Sequence, residues 1–392
     1  MSEELKQKLI AYASEIGIDK IGFASAEPFS KLHSILLQHR ELGYESGFEE
    51  KELKKRVNPS LSLADAKSLI AIAIAYPTRI SEPPSSTEGN YRGFIARSAW
   101  GIDYHVILRQ KLEQLGDFLK RLVPTAEYIF MTDTGVLSDH AVAERAGLGW
   151  IGKNSLLITE EFGSYVYLGE LVTNIRFPED HPLEKQCGEC TICFERCPSS
   201  AIVRPGQVNA KKCLSYISQR KDKLEDYWQE KLGNRLYGCD TCQIVCPKNK
   251  GINFTHQQEA FPAPELAKPL LKPILTLSNK EFITTFGKTA AGWRGKKTLQ
   301  RNAIIALGHF KDKTALPDLQ KLLLYDQRPV IRQTSAWAIG EIGGIIAGEI
   351  LQMAKINEKD EKTLVEIRKA IEKIENFEAQ DVHTACTTVI FE

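Results

Sequence analysis

The segment CGECTICFERCP, residues 187–198, decides how the middle of this chain folds. Its cysteines follow the spacing C-x2-C-x2-C-x3-C, and Pro198 comes directly after the last of them. This spacing is typical of bacterial two-cluster iron–sulfur sites, in which the fourth thiolate binds a different cluster from the first three. The segment therefore predicts a ferredoxin-like region with two 4Fe-4S clusters.

A second group of cysteines completes the ligands for both clusters. It has the spacing C-x2-C-x3-C before Pro247 and is one thiolate short, and Cys213 is available as the missing donor. The predicted first set is Cys187, Cys190, Cys193 and Cys246, and the second is Cys197, Cys213, Cys239 and Cys242. Two zinc sites of four cysteines each are the alternative, but the x2-x2-x3 spacing and the proline favour clusters. Cys386 is left over near the end of the chain.

The composition limits what kind of protein this is. With 392 residues, 43% of them hydrophobic, the chain can form two or three domains. Lysine and arginine number 51 against 50 acidic residues, so binding to nucleic acid would need a local basic patch. The N-terminal residues are charged and amphipathic, so we expect a cytoplasmic protein without a membrane span. In that compartment nine cysteines favour metal binding over disulfides.

Helical and strand patterns alternate before the cysteines. We predict strands at residues 68–76, 128–131 and 164–172, and a helix from about Ile102 to Arg121. Apolar strands alternating with helices indicate a mixed α/β domain whose sheet is covered.

A helical repeat follows a proline-rich connector that begins at Phe261. LQRNAIIALGHF from Leu299 aligns with IRQTSAWAIGEI from Ile331, and residues 367–374 are a candidate third unit. Such a period is typical of stacked helical pairs, although two helices can also be similar by chance. We therefore predict an α+β multidomain chain. Its parts are an α/β domain at 1–175, a ferredoxin-like two-cluster domain at 176–260, a HEAT-like repeat domain at 261–380 and a tail at 381–392.

The stretch from Asp133 to Thr159 has the composition of a ligand site, because it follows a predicted strand and combines glycines with titratable groups. Asp133 is a candidate proton donor, and its alternative role is to form a turn with the amide near Gly135. Asp103 and His105 begin the D-x-H-x-x-G signature of proteins that bind cobalamin through histidine. Leu108 stands where that signature has glycine.

Taken together, these residues resemble one family, the epoxyqueuosine reductases, which are cobalamin-dependent enzymes of tRNA modification related to reductive dehalogenases. The resemblance covers nearly the whole chain. It rests on KKRVNPS around Arg56, WGIDYH ending at His105, DTG at Asp133, AERAGLGWIGKNS from Ala143, the eight cysteines and the helical repeats. It implies that cobalamin binds without a histidine ligand, which agrees with the incomplete signature.

The resemblance also implies a reaction, in which epoxyqueuosine at the wobble position of tRNA is reduced to queuosine and the epoxide oxygen leaves as water. The clusters, fed by an external electron donor, would reduce cobalamin. By motif position Asp133 is the implied proton donor, and burial would keep it protonated. The implied pocket for cobalamin and the modified base consists of Arg56, Asp103, Tyr104, His105, Lys153, Asn154 and Ser155. We expect the protein to be a monomer.

A basic segment without acidic residues runs from Gly287 to Phe310. Its candidate tRNA contacts are Lys288, Trp293, Arg294, Lys296, Lys297 and Arg301, and a solvated helix face is the alternative. Other functions considered for the chain are a dehalogenase-like corrinoid protein, a ferredoxin-type electron carrier and a non-catalytic cluster scaffold. A dehalogenase would be expected to carry an export signal, and a carrier needs neither the Asp133 loop nor a basic repeat region.

Overall fold

Short strands and helices alternate as far as Ile244, and helices dominate the described residues beyond it. The computed structural model describes residues 2–80, 82–253, 261 and 263–388. The strands are β1 (Lys20–Ser25), β2 (Ser68–Ala75), β3 (Phe94–Ile95), β4 (Tyr128–Met131), β5 (Trp150–Ile151), β6 (Leu157–Ile158), β7 (Val166–Thr173), β8 (Ile202–Arg204), β9 (Gln207–Val208) and β10 (Arg235–Tyr237). The α-helices are α1 (Ser2–Glu15), α2 (Ser30–Glu41), α3 (Leu53–Val57), α4 (Tyr104–Leu122), α5 (Asp139–Arg145), α6 (Ile192–Glu195), α7 (Leu214–Gln219), α8 (Asp226–Leu232), α9 (Thr241–Ile244), α10 (Pro264–Ala267), α11 (Leu271–Leu275), α12 (Asn279–Thr284), α13 (Lys296–His309), α14 (Leu316–Tyr325), α15 (Pro329–Ile342), α16 (Ile345–Asn357) and α17 (Glu361–Thr388).

Two compact units divide the chain. The first contains Met1–Ser81, Ala96–Tyr216 and Cys239–Ala263, and the second contains Glu82–Ile95, Ile217–Gly238 and Pro264–Glu392. All eight clustered cysteines belong to the first unit and the helical repeats to the second. The domain boundaries expected from the sequence stay a prediction. The predicted connector and tail fall partly outside the described residues, as does the side chain of Cys386.

A four-stranded antiparallel sheet, in the order β1-β2-β7-β4, organises the first unit. β2 is buried along its whole length because both faces of the sheet are covered. Ile70 and Ile72 pack with α1 and α4, whereas Leu69 and Ala71 pack with α5. Successive side chains of a strand point to opposite faces, so one apolar strand serves both layers. The predicted mixed α/β region with a covered sheet is confirmed.

The elements of this sheet position several titratable side chains. α4 begins at Tyr104, where the Asp103 side chain accepts a hydrogen bond from the His105 backbone N–H at 3.1 Å. β4 ends at Met131, which pairs with Glu170 on β7. The chain then turns, and the Gly135 N–H donates to the Thr132 carbonyl at 2.6 Å. The start of α4 and this turn carry the residues that the sequence assigned to a site.

The second unit contains the predicted repeat. α13 and α15 correspond to the two aligned segments. At a glycine, α13 packs closely against α15, and α15 in turn packs closely against α17. A Cβ added at Gly308 would lie 2.9 Å from Ala338 Cα, and one added at Gly340 would lie 2.8 Å from Ala370 Cβ. Ala370 belongs to α17, the predicted third unit. The stack of helices is therefore confirmed, and the matched small residues are where the helices pack most closely.

Among the helices that the structure describes, we find none with both the length and the apolar character that crossing a membrane requires.

Candidate functional site

Asp133 is the centre of a hydrogen-bonded network beside the start of α4. The Tyr104 hydroxyl donates to Asp133 Oδ2, and His105 Nε2 is hydrogen-bonded to Asp133 Oδ1. On the other side of the imidazole, His105 Nδ1 lies 2.7 Å from Asp103 Oδ1. The Tyr104 ring stacks on that of Tyr167, with centroids 4.8 Å apart. Four residues assigned from the sequence are thus in direct contact.

The charge of His105 follows from its two carboxylate neighbours. Burial alone would lower its pKa, but the hydrogen bonds with Asp103 and Asp133 outweigh burial and raise the pKa to about 9. The imidazole is therefore protonated at neutral pH, and both ring N–H groups donate to carboxylates. His105 holds a proton directly against Asp133.

Asp133 itself is more exposed than predicted. The sequence interpretation required a buried carboxyl group, and this is wrong, because 47% of the side chain is exposed. The residue lies beyond the end of β4, in the turn outside the covered sheet. An exposed carboxylate with a protonated histidine against it can exchange protons with a bound substrate. In this structure the carboxyl group of Asp133 is in contact with a histidine instead of being buried.

Two further carboxyl groups near Asp133 were missed by the sequence analysis. Glu170 is only 1% exposed and is hydrogen-bonded to Asp139, the first residue of α5. Burial raises the pKa of Glu170 well above its ordinary value, and burial together with the charge of Asp133 raises the pKa of Asp139 to about 7. The available signal was an acidic residue inside the otherwise apolar strand VYLGELVT.

Arg56, also assigned to the pocket, has acidic neighbours of its own. Its guanidinium is 3.9 Å from Glu45, and it also interacts electrostatically with Asp139. Burial lowers the pKa of Arg56, although the surrounding carboxylates oppose that shift. The residue is held by acidic neighbours and connects electrostatically through Asp139 to the network around Asp133.

The eight cysteines form two separate groups. Those of the first group interact electrostatically with one another and line a single cavity of about 70 Å³: Cys187, Cys190, Cys193 and Cys246. Those of the second group also interact: Cys197, Cys213, Cys239 and Cys242. These are the two sets expected from the spacing. Within the described part of the chain, no three His, Cys, Asp or Glu side chains are arranged to hold a single metal ion.

The electrostatics of these thiols fit an iron–sulfur cluster. Burial, together with the neighbouring cysteines, raises the pKa of Cys213 to about 11, and the same causes raise the pKa of Cys242. Burial also raises the pKa of Cys193 and of Cys246. Such thiols ionise when a metal supplies compensating positive charge. The residues present therefore suit two cubane clusters.

Lys153 and Asn154 lie beside the first group of cysteines rather than in the Asp133 network, and Ser155 follows them in the same turn. Lys153 Nζ donates to the carbonyls of Gly188 and Cys190 at 2.6 and 3.1 Å. Asn154 is 5% exposed, and Lys153 and Asn154 both line the cysteine cavity. Ser155 has φ +67°, a left-handed conformation that closes the turn from Gly152. This turn holds the loop that carries the first cluster ligands.

The basic segment predicted to hold tRNA lies in the second unit, at the start of α13. Lys288 is exposed and Trp293 is 51% exposed. Arg294 Nε donates to the Gln219 carbonyl at 2.7 Å, and Lys296 Nζ donates to the Leu277 carbonyl at 3.1 Å. Lys297 is half-buried. The segment presents positive charge and one aromatic ring, and part of its charge is also used to fix its own fold.

Arg301 does not belong to that surface. It is 1% exposed, and its Nη1 donates to the carbonyls of Arg220 and Asp222, both at 2.7 Å. Burial lowers its pKa to about 9. The predicted contact between Arg301 and tRNA is wrong, because the side chain lies on the inward face of α13 and joins it to a neighbouring loop.

Two groups of four thiols in the same compact unit as a protonated histidine–aspartate pair define a two-cluster iron–sulfur redox protein. Comparison with known families agrees. Residues 186–249 match the "4Fe-4S double cluster binding domain", residues 294–370 match "HEAT repeats", and residues 56–134 match "Epoxyqueuosine reductase QueG, DUF1730".

Whole-chain comparisons give the family. The epoxyqueuosine reductase of Bacillus anthracis is 53% identical over 370 residues, which cover 94% of this chain and 97% of that protein. A crystal structure of an epoxyqueuosine reductase with a tRNA-Tyr epoxyqueuosine-modified stem loop has a TM-score of 0.94 at 53% identity, covering 96% of this chain and 100% of that chain. The Bacillus subtilis enzyme, with its catalytic aspartate loop swung out of the active site, has a TM-score of 0.93 at 52% identity, covering 95% and 100%.

The chain belongs to the epoxyqueuosine reductases, which are oxidoreductases. The family and the fold class predicted from the sequence are confirmed, and so is the presence of a two-cluster 4Fe-4S domain.

Proposed function

We propose that this protein reduces epoxyqueuosine to queuosine at the wobble position of tRNA. The reaction consumes two electrons and two protons, and the epoxide oxygen leaves as water. The observation that carries the proposal is the hydrogen bond between His105 Nε2 and the exposed carboxyl group of Asp133, in the same unit as both groups of cysteines. Membership of the family supports the reaction and substrate.

The two groups of cysteines would hold the clusters that carry electrons. Cys187, Cys190, Cys193 and Cys246 bind one cluster, and Cys197, Cys213, Cys239 and Cys242 bind the other. Each cluster passes electrons singly, so an external donor supplies two of them for each turnover. The donor, a monomeric state and a cytoplasmic location are parts of the proposal. A cytoplasmic location is supported by the tRNA substrate and by eight thiols that must remain reduced for cluster binding.

Cobalamin is the second proposed cofactor, and it would supply low-valent cobalt as the reductant of the epoxide. His105 would not act as a ligand to cobalt, because both of its ring nitrogens are hydrogen-bonded to carboxyl groups. The proposed pocket contains Arg56, Asp103, Tyr104 and His105, with Lys153, Asn154 and Ser155 on its cluster side.

The chain's own residues would deliver the proton. Tyr104 and His105 each bond one oxygen of Asp133, so the carboxylate is fixed in orientation. A proton moves from His105 Nε2 to Asp133 Oδ1 and from there to the epoxide oxygen as its first bond to carbon breaks. The pair takes up another proton from solvent and supplies it to the same oxygen, which leaves as water when its second bond to carbon breaks. Asp103 keeps the imidazole in place through Nδ1. The catalytic aspartate loop of the Bacillus subtilis relative supports this role for Asp133.

The experiment is a conversion assay in which tRNA bearing epoxyqueuosine is incubated anaerobically with reconstituted protein, cobalamin and reductant. We expect the modified base to lose the mass of one oxygen. Asp133→Asn should reduce the rate by about 10²–10⁴-fold, the usual contribution of a general acid. Asp117→Asn is the matched control, because Asp117 accepts a hydrogen bond from Tyr128 at 2.6 Å in another exposed Tyr–Asp pair.

Unchanged mass with the wild-type protein would contradict the proposed reaction and favour an electron carrier. Full activity of Asp133→Asn would contradict only the assignment of the proton donor.

A further inference from the structure

The cavity lined by the first group of cysteines has one polar wall outside the cysteine-rich segment. Lys153 and Asn154 line it from outside that segment, whereas Gln186 and Lys248 line it from within the segment. Lys153 and Asn154 come from the turn before β6, far from residues 186–249 that match the double-cluster domain. A cluster bound here would therefore contact side chains that the cysteine spacing does not reveal.

One end of the Asn154 amide is hydrogen-bonded within its own turn. Its Oδ1 accepts a hydrogen bond from the Leu156 backbone N–H at 3.4 Å, so the Nδ2 end points the other way. The residue is 5% exposed, and Nδ2 has no hydrogen-bond partner among the residues that the structure describes. A buried N–H without an acceptor is costly, so a partner is expected when the protein carries its cofactors.

The turn that presents Asn154 is rigidly attached to the ligand loop. Lys153 donates to the carbonyls of Gly188 and Cys190, two residues of that loop. The turn is closed by the Ser155 N–H to the Gly152 carbonyl at 3.0 Å, with Ser155 in the left-handed conformation. Asn154 is thereby held at a constant position relative to the cysteines, as a donor to a cluster must be.

We propose that Asn154 Nδ2 donates a hydrogen bond to a sulfur of the cluster held by Cys187, Cys190, Cys193 and Cys246, and thereby raises the reduction potential of that cluster. Reduction adds negative charge to the cluster, and a hydrogen-bond donor stabilises the more negative state. Hydrogen bonds to the sulfurs are among the factors that set iron–sulfur potentials. Asn154 is a positioning and tuning residue, and the inference depends on the cluster rather than on the tRNA reaction.

Anaerobic redox titration of the holoenzyme, followed by electron paramagnetic resonance, tests the proposal. Asn154→Asp keeps an acceptor for the Leu156 N–H but removes the donor, and Asn154→Leu removes it without adding charge. We expect the reduction potential of one cluster to fall by about 59 mV. At a fixed applied potential, this shift changes the ratio of oxidised to reduced cluster about tenfold. The second cluster should titrate as in the wild type and provides an internal control.

Asn58→Asp is the matched control variant. Asn58 Oδ1 also accepts a hydrogen bond from the backbone N–H two residues further on, that of Ser60, at 3.1 Å. Asn58 does not line the cysteine cavity. It should leave both potentials unchanged. Unchanged potentials in both Asn154 variants would overturn the proposal. A changed visible spectrum of bound cobalamin, with both cluster potentials unchanged, would assign the amide to the corrin and would equally overturn it.

A measurement on unsubstituted protein covers the case in which the variants lose the cluster. In reduced protein labelled with ¹⁵N at the asparagine side chains, pulsed resonance should detect coupling between one cluster and a labelled nitrogen. Absence of that coupling would contradict the hydrogen bond, whatever the variants do.

Discussion

His105 is the residue whose charge the mechanism depends on most. Its two carboxylate partners keep it protonated, whereas Asp139 and Glu170 nearby have raised pKa values that oppose their ionisation. The two carboxyl groups that bond the imidazole directly are those of Asp103 and Asp133. This arrangement directs the histidine's proton toward the exposed acid.

A pH dependence follows from this charge. Only protonated His105 can return a proton to Asp133. The value of kcat/KM should therefore be constant below the raised pKa of His105 and should fall as the pH rises through about 9. His105→Gln should lower activity by about 10²-fold or more and abolish that limb of the profile. The measurement is the pH–rate profile of epoxyqueuosine reduction with saturating reductant.

His33→Gln serves as the control for that profile, since His33 lies on α2 and outside the network. Its profile should match the wild type. If the alkaline limb survived in His105→Gln, another group would have to be the titrating acid.

The basic residues of α13 have two different roles, depending on where they lie on the helix. Its inward face carries Arg301, which is bonded to backbone carbonyls, and its N-terminus carries Lys296 and Lys297. A helix N-terminus is already attractive to phosphate, and the adjacent lysines add to that attraction. The element therefore has one structural face and one end suited to the tRNA backbone.

The triple variant Lys288→Ala, Lys296→Ala and Lys297→Ala tests that end of the helix. We expect weaker tRNA binding and a shallower salt dependence, by about 0.7 in log–log slope for each lost contact with single-stranded RNA. The measurement is the dissociation constant for a tRNA stem loop at several salt concentrations, with circular dichroism of the helices as the check on folding.

Lys321→Ala, Lys355→Ala and Lys359→Ala remove the same charge from exposed positions elsewhere in the second unit. This control should bind tRNA almost as the wild type does. Equal loss of affinity in both triple variants would mean that net charge, and not the surface at α13, governs binding.

Across the whole molecule, features encoded by short spacings were predictable from the sequence. The two sets of cysteines follow from ligand spacing, and Gly308 and Gly340 follow from the helical repeat, because in both cases neighbouring residues determine the geometry. The exposure of Asp133 and the burial of Arg301 depend instead on distant parts of the chain. Arg301, for example, is buried by carbonyls at Arg220 and Asp222, which no local pattern indicates.

The same limit explains why one predicted residue lies in an unexpected place and why another residue was missed. Asn154 belongs to a motif used in the sequence analysis, yet its place beside the cysteines appears only when the turn from Gly152 packs against the ligand loop. Glu170 became significant once β7 was placed in a covered sheet next to α5. Tertiary contacts, and not composition, assemble these parts of the site.

The central claim is that the two groups of thiols hold clusters that supply electrons to the Asp133 site. Its most direct test is the iron, acid-labile sulfide and zinc content of anaerobically prepared protein, compared with that of Cys213→Ser. The account predicts equal amounts of iron and sulfide, sufficient for two 4Fe-4S clusters, and loss of one cluster in the variant. Zinc without iron or sulfide in the wild-type protein would contradict it.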